Sequence, residues 1–145
     1  RTYGDTIYRV AYHALDNPQD AEDVMQTVLL RLYECKKNFE SEEHMKHWIL
    51  RVAVNESRRI AAHPWRRRAV SLEEAREPVF QDRERRELYE AVMGLPAKYR
   101  VPLYLHYYEG YAVAEIGEIL GLKPSTVQTR LSRGREKLKT MLTEE

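Results

Sequence analysis

Apolar residues recur along most of the chain at intervals of three and four, the spacing of one face of an α-helix. The first such stretch ends at residues 16–18, Asp-Asn-Pro, where a break is expected. Asp20 then offers a side chain that could cap a second helix, whose apolar positions run from Val24 to Cys35. A third helix is expected over roughly residues 42–62. The pattern predicts that these helices form one small bundle.

Helical spacing fails between Ala62 and Gln81. This stretch holds two prolines and abrupt alternation of charge, which is typical of a linker between domains. Helical spacing returns over about 82–93 and from Pro96 to Tyr108, and the next helix, a short one, is expected near 113–120 after a turn at Gly110. The predicted fold class is all-α with two small helical domains, at residues 1–62 and 82–145, joined by a linker at 63–81.

A helix-turn-helix is predicted near the end of the chain. Gly117 is small at the point where two helices are expected to cross, and Gly121 can adopt the positive φ of a sharp turn. Leu122 and Val127 are expected to fill the corner between the helices. A packed hairpin with a solvated polar face is the alternative to a DNA-reading helix. The polar face, whose side chains suit base edges and phosphates, comprises Ser125, Thr126, Gln128, Thr129, Arg130, Ser132, Arg133, Arg135, Lys137 and Lys139.

The distribution of charge along the chain is more informative about binding partners than the net charge is. The net charge is only +1. Residues 1–45 hold nine acids and five bases, whereas residues 46–70 hold one acid and seven bases, and residues 123–139 hold one acid and six bases. Two separated basic blocks favour two nucleic-acid contacts, although such runs can also be solvated helix faces.

Other chemistry is sparse. No stretch approaches the roughly 18 apolar residues of a membrane span, and the first residues lack the apolar core of a secretory signal, so a soluble cytoplasmic protein without membrane insertion is expected. Cys35 is the single cysteine and is expected to be a small buried apolar residue. His44 and His47 lie three apart without a third ligand at metal-site spacing. Neither a metal or other cofactor nor an enzymatic activity is expected.

Two sets of motifs together resemble one bacterial family. The segment LPAKYRVPLYLHYYEGYAVAEIGEILGLKPSTVQTRLSRGREKLK looks like domain 4 of extracytoplasmic-function (ECF) sigma factors, which are transcription initiation factors. DAEDVMQTVLLRLYE and FESEEHMKHWILRVAVNESRR look like their domain 2. The resemblance covers nearly the whole chain in the family's order. It implies a sigma factor that directs core RNA polymerase to promoters, reads the minus-35 duplex and captures the melted minus-10 strand.

The resemblance also implies partners. These are promoter DNA and core RNA polymerase, contacted through the β′ clamp helices and the β flap, while an anti-sigma factor is a common further partner in the family. The helix that begins DAED would dock on the clamp helices through Asp23, Gln26 and Arg31. For Asp20, helix capping and compensation of the helix dipole are preferred to a contact with polymerase.

The two DNA elements are assigned by the same resemblance. Asn55 would lie near the flipped base of the minus-10 strand, although it could instead cap a helix or bond its own backbone. Trp48 could stack on a base, but its helical spacing favours a core position. The remaining implied contacts are Arg51, Arg58 and Arg59 at minus-10 phosphates, and Thr126, Gln128, Thr129, Ser132 and Arg133 at the minus-35 duplex.

Several positions depart from the family's pattern. Thr27 stands where the family often has Glu. Lys123 and Pro124 stand where a serine N-cap is usual, so the start of the second helix is expected to shift to Ser125 as the cap. Gly134 replaces a common alanine and is expected to cost the helix about 1 kcal/mol.

A DNA-binding regulator with a terminal helix-turn-helix, acting without polymerase, is the alternative function. It would explain residues 95–139 equally well. It would leave the acidic DAED helix and the basic ILRVAVNESRR helix without a role.

Overall fold

The structure is a computed structural model that describes residues 2–63 and 83–143. The chain divides into two compact units, Arg1–Ala75 and Arg76–Glu145. Helices are the only regular secondary structure of the described residues, which confirms the all-α prediction. The predicted linker lies almost wholly outside the described residues, so the domain boundaries stay predictions. None of the described helices is long and apolar enough to cross a membrane.

The first unit is a bundle of three helices, α1 (Thr2–Leu15), α2 (Pro18–Glu34) and α3 (Glu42–Ala61). Each helix packs against the other two, because each presents one apolar stripe. Burial of each large aliphatic side chain contributes about 1.5 to 3 kcal/mol. The core residues include Ile7, Val10, Leu15, Val24, Val28, Ile49, Leu50 and Ala53.

The start of α2 differs from the prediction. Asp16 turns the chain with a φ of 51°, and Asn17 is the N-cap: its side-chain oxygen accepts the backbone N–H of Asp20 at 2.9 Å. Pro18 follows as the first helical residue, where its fixed φ and missing N–H do no harm. The prediction that Asp20 caps the helix is wrong. Asp20 lies in the first turn instead, where its charge suits the helix dipole.

The second unit also consists of helices, which pack around a core of its own. The predicted helix near 113–120 is confirmed, as is the turn at Gly110, whose φ is 82°. The core includes Leu95, Val101, Leu105, Ile116, Ile119, Val127 and Leu131. The elements are α4 (Arg83–Met93), α5 (Ala97–Leu103), a π-helical turn (Tyr104–Tyr108), α6 (Val113–Leu120) and α7 (Pro124–Thr143).

The π-helical turn corrects the prediction of one regular helix from Pro96 to Tyr108. Pro102 lies inside α5, where it has no N–H to donate to the preceding turn. The helix then widens into the π-helical turn, in which the N–H of Glu109 donates to the carbonyl oxygen of Tyr104, five residues back, at 3.2 Å. Such widened turns are frequent at functional sites.

Candidate nucleic-acid and partner-binding surfaces

The C-terminal half of α3 exposes a cationic face in the first unit. Arg51, Asn55 and Arg58 lie at successive turns of the helix and are all exposed, as is the neighbouring Arg59. The opposite side of the same helix is buried through residues such as Ala53. The structure therefore brings the predicted minus-10 arginines and Asn55 together on one solvent-facing surface.

Asn55 occupies the middle of that face. It lies inside α3, and among the described residues its side chain forms no hydrogen bond. The alternative in which Asn55 caps a helix or bonds its own backbone therefore gains no support. Its amide donor and acceptor are both available to a ligand.

Trp48 is half-buried rather than presented on this face. Its ring lies 5.6 Å from the ring of Phe39, between centroids, at an interplanar angle of 60°. This favours the packing role over base stacking, as its helical spacing indicated.

A buried carboxylate connects α2 to the cationic face. Glu56 is only 4% exposed, and its Oε1 accepts a hydrogen bond from Nη2 of Arg31 on α2 at 3.1 Å. Its Oε2 accepts from Nε of Arg59 at 3.0 Å. This hydrogen bond is the main cause that raises the pKa of Arg59 above its usual value. Charge-assisted bonds of this kind order both guanidinium groups.

Sequence reasoning missed Glu56. Its signal is its position: it is the single acid among the bases of residues 46–70. Arg31, predicted to contact polymerase, is turned toward α3 by this ion pair, although half of its side chain stays exposed.

A second exposed stripe follows α2. Asp23, Gln26, Leu30 and Tyr33 are spaced by three or four residues and lie on one side of the helix. Leu30 is 56% exposed and Tyr33 is 88% exposed. Neighbouring exposed apolar residues that form a patch rimmed by polar ones are typical of protein–protein contacts. The structure thus extends the predicted pair Asp23 and Gln26 by two residues that sequence reasoning did not select.

The helix-turn-helix forms in the second unit. Gly121 ends α6 with a φ of 70° and a ψ of 37°, as predicted. A Cβ added at Gly117 would lie 2.6 Å from the carbonyl oxygen of Leu122. Gly117 is therefore needed against the backbone of the turn, rather than where the two helices cross. Val127 is fully buried in the corner, whereas Leu122 is only half-buried.

The start of α7 corrects a further prediction. The helix begins at Pro124, and the carbonyl oxygen of Lys123 accepts the N–H groups of Thr126 and Val127. Ser125 therefore lies inside the first turn and is not the cap. Proline is favoured at this position because its φ already matches the helix.

The face of α7 opposite its buried row is polar, as predicted. Val127, Leu131 and Gly134 are buried. Thr129 donates its hydroxyl to the carbonyl oxygen of Ser125 at 3.0 Å, which leaves its acceptor capacity for a ligand. The predicted residues on this face are exposed or half-buried: Ser125, Thr126, Gln128, Thr129, Arg130, Ser132, Arg133, Arg135, Lys137 and Lys139.

The two spaced histidines each have a local partner. Nδ1 of His44 accepts the backbone N–H of Glu40 at 3.1 Å, and Nε2 of His47 lies 3.2 Å from a carboxylate oxygen of Glu43, one turn away. Both residues thus have roles in the local structure of α3.

Comparison with known proteins points to one family. The family model described as Sigma-70 region 2 matches residues 1–69, and that described as Sigma-70, region 4 matches residues 85–138. The chain is 31% identical to the ECF RNA polymerase sigma factor SigE of Mycolicibacterium smegmatis, over 98% of this chain and 59% of the relative. It is 28% identical to the ECF RNA polymerase sigma factor SigW of Bacillus subtilis, over 97% of this chain and 84% of the relative.

A solved structure has the same fold. It is the co-crystal structure of the sigma factor RpoE in complex with the anti-sigma factor NepR from Bartonella quintana. The TM-score is 0.76 at 20% identity, over 99% of this chain and 94% of that chain.

Proposed function

Because the chain belongs to the sigma-70 family and is similar to its ECF members, we propose that it directs core RNA polymerase to promoters. In this proposal residues 1–62 bind polymerase and capture the melted minus-10 strand, and residues 82–145 read the minus-35 duplex. The chain works in the cytoplasm, and the catalytic step of RNA synthesis belongs to the polymerase.

The observation that carries the proposal is the pair of different surfaces on the first unit. A DNA-binding regulator needs the helix-turn-helix alone. Here α2 also exposes a stripe of mixed polar and apolar residues, while α3 exposes an arginine face with an available amide at Asn55. Their chemistry fits two different partners, a protein and a polyanion.

The minus-10 contact would use the face of α3. An unpaired base can be read by an amide, which offers a donor and an acceptor, while neighbouring guanidinium groups bind its phosphates. Arg59 is already ordered by Glu56, so less conformational entropy is lost when it meets a phosphate. The Glu56 carboxylate also offsets part of its charge, so Arg51 and Arg58 would supply the larger electrostatic attraction. Arg51 and Arg58 lie on the same face.

The minus-35 contact would use the exposed face of α7. Gln128 and Arg133 can each form two hydrogen bonds with a base edge in the major groove. Arg130, Arg135, Lys137 and Lys139 would bind phosphates, which position the helix without reading sequence.

The polymerase contact would use the stripe of α2. The exposed apolar area of Leu30 and Tyr33 would supply burial, and Asp23 and Gln26 would supply polar complementarity. Arg31, engaged by Glu56, would contribute from the edge of this surface.

An anti-sigma factor is proposed as a class of regulator. The solved relative is itself in complex with one. A protein that is captured by this chain and displaced by core polymerase would identify such a partner.

The experiment that tests the proposal measures binding of core RNA polymerase to the full chain at moderate salt. Asp23→Lys reverses the charge of the one acidic residue of the proposed polymerase surface, and we expect roughly tenfold weaker binding. Asp5→Lys makes the same change on the exposed side of α1 and serves as the matched control, with an expected change under about twofold. No measurable binding by the unmodified chain would favour the regulator, while equal binding by both variants would move the polymerase surface elsewhere.

A further inference from the structure

A hydrogen bond joins the π-helical turn to α7. Nη1 of Arg135 on α7 donates to the hydroxyl oxygen of Tyr107 at 2.8 Å. Nη2 of the same guanidinium lies 3.5 Å from the hydroxyl oxygen of Ser132, one turn back on α7. The Arg135 guanidinium is thus held between two hydroxyl groups at the surface.

The widened turn is what presents Tyr107 to α7. Tyr104 and Leu105, which begin the turn, are buried, whereas Tyr107 and Tyr108 are 60% and 64% exposed. Tyr108 stacks back on Tyr104 at 5.2 Å between ring centroids. Tyr107 instead reaches across to Arg135. Two adjacent exposed tyrosines therefore have different neighbours.

We propose that Tyr107 is a positioning residue for DNA binding: it holds Arg135 in place to contact a phosphate of the minus-35 duplex. Both hydroxyl partners of Arg135 are neutral, so neither cancels its charge, and the guanidinium has five N–H donors, more than these two contacts use. An exposed arginine loses much rotamer freedom when it binds. A side chain that is already ordered by Tyr107 loses less, and this raises affinity without adding a charge.

This inference rests on the proposed function. It assigns a part in DNA binding to Tyr107, a residue outside the helix-turn-helix. The role predicts a particular signature. Loss of the Tyr107 hydroxyl should weaken binding but leave the salt dependence nearly unchanged, because Arg135 is still present to displace counterions. Loss of Arg135 itself should reduce the slope of the logarithm of the binding constant against the logarithm of salt concentration by about one unit.

The test uses the holoenzyme, formed from the full chain and core polymerase, and a promoter fragment that the unmodified holoenzyme selects from a randomised library. Tyr107→Phe removes one oxygen and keeps the ring, and Tyr108→Phe is the matched control at the next position. We expect Tyr107→Phe to weaken binding roughly three- to tenfold, and Tyr108→Phe to change it by less than about twofold. In an Arg135→Ala background, Tyr107→Phe should have no further effect.

Several outcomes would overturn the inference. An equal loss from Tyr107→Phe in the presence and absence of Arg135 would mean that the hydroxyl acts on another group. Full affinity of Tyr107→Phe, or an unchanged salt slope for Arg135→Ala, would contradict it directly. Thermal unfolding of each variant separates these outcomes from misfolding, because a destabilised Tyr107→Phe chain would make the residue structural. If the unmodified holoenzyme selects no fragment, the proposed function itself fails first.

Discussion

Asn55 is exposed on α3 between the buried Val54 and the buried Glu56. The sequence predicted it as a base-reading residue through the family resemblance, and left open a bond to its own backbone. Among the described residues its side chain has no such bond. An exposed amide with no structural partner contributes little to folding, so a phenotype of its loss would point to a ligand.

Asn55→Ala should therefore leave thermal stability and polymerase binding nearly unchanged and reduce open-complex formation. Alanine retains the helix but loses the donor and acceptor that would meet the extruded base. A template with a pre-melted bubble should partly restore the complex, which permanganate footprinting can measure. A loss of stability of about 1 kcal/mol or more with normal opening would instead make Asn55 structural.

Glu56 differs from Asn55 because it is buried and accepts hydrogen bonds from two arginines. Glu56→Gln keeps the shape but removes the charge that both guanidinium groups face. We expect the free energy of unfolding to fall by about 1 to 2 kcal/mol. The loss is less than for a fully buried triad of charges, because in the triad of Glu56 with Arg31 and Arg59 both arginines are half exposed or more. Urea unfolding would measure it, with Glu43→Gln, 62% exposed on the same helix, as the control. Equal stability of the two variants would show that the triad contributes no more than a surface pair.

At the scale of elements, the accuracy of prediction depended on where the determining contacts lie. The end of α6 was predicted to the residue because Gly121 imposes it locally. The starts of α2 and α7 were displaced because a proline at the first helical position outweighed the acid or serine that follows it. The π-helical turn had no local signal that separates it from a continuing helix, since Pro102 alone does not determine how the chain resumes.

The glycines of the helix-turn-helix allow a direct comparison. A Cβ at Gly117 would meet a backbone oxygen at 2.6 Å, whereas a Cβ at Gly134 would meet Cδ1 of Leu103, the end of a side chain, at 3.0 Å. Gly117→Ala should destabilise the unit by about 1 to 3 kcal/mol, because the turn must move. Gly134→Ala should be near neutral, since a gain in helix propensity of about 1 kcal/mol offsets the crowding.

Differential scanning calorimetry of the two variants would measure this contrast. The contrast tests the sequence-based expectation that Gly134 only weakens α7. That expectation took no account of the burial of Gly134 against Leu103 and Tyr99. If Gly134→Ala raises the free energy of unfolding by about 1 kcal/mol, that expectation is correct. Similar effects at both positions would contradict the close approach at Gly117.

At the scale of the whole molecule, the charge pattern, the all-α class and the positions of the exposed faces were predictable, because periodicity and composition determine them. The Glu56 triad and the contact between Tyr107 and Arg135 were not. Arg31 and Glu56 lie 25 positions apart in sequence and Tyr107 and Arg135 lie 28 apart, and no spacing rule within one helix relates such residues. No prediction was made for the exposed Leu30 and Tyr33, because they lie outside the apolar row of α2 and single exposed apolar residues are common on protein surfaces.

The separation into two units predicts weak DNA binding by the free chain. Each unit carries its own basic surface, and the acids of residues 1–45 offset part of the charge. Polymerase would fix the distance between the two surfaces and raise the effective concentration of the second contact after the first. Titration at physiological salt should show at least about tenfold weaker binding of a promoter duplex by the free chain than by the holoenzyme. Tight and sequence-specific binding by the free chain would favour the regulator.

Run-off transcription with bacterial core RNA polymerase and a promoter library tests the central claim most directly. The measured quantity is the amount of transcript of defined length per template, with and without the chain. We predict that core polymerase with this chain produces transcripts from a small set of templates that share minus-35 and minus-10 sequences, and that core polymerase alone does not. Transcription that is unchanged when the chain is added, despite its binding to duplex DNA, would contradict the assignment as a sigma factor.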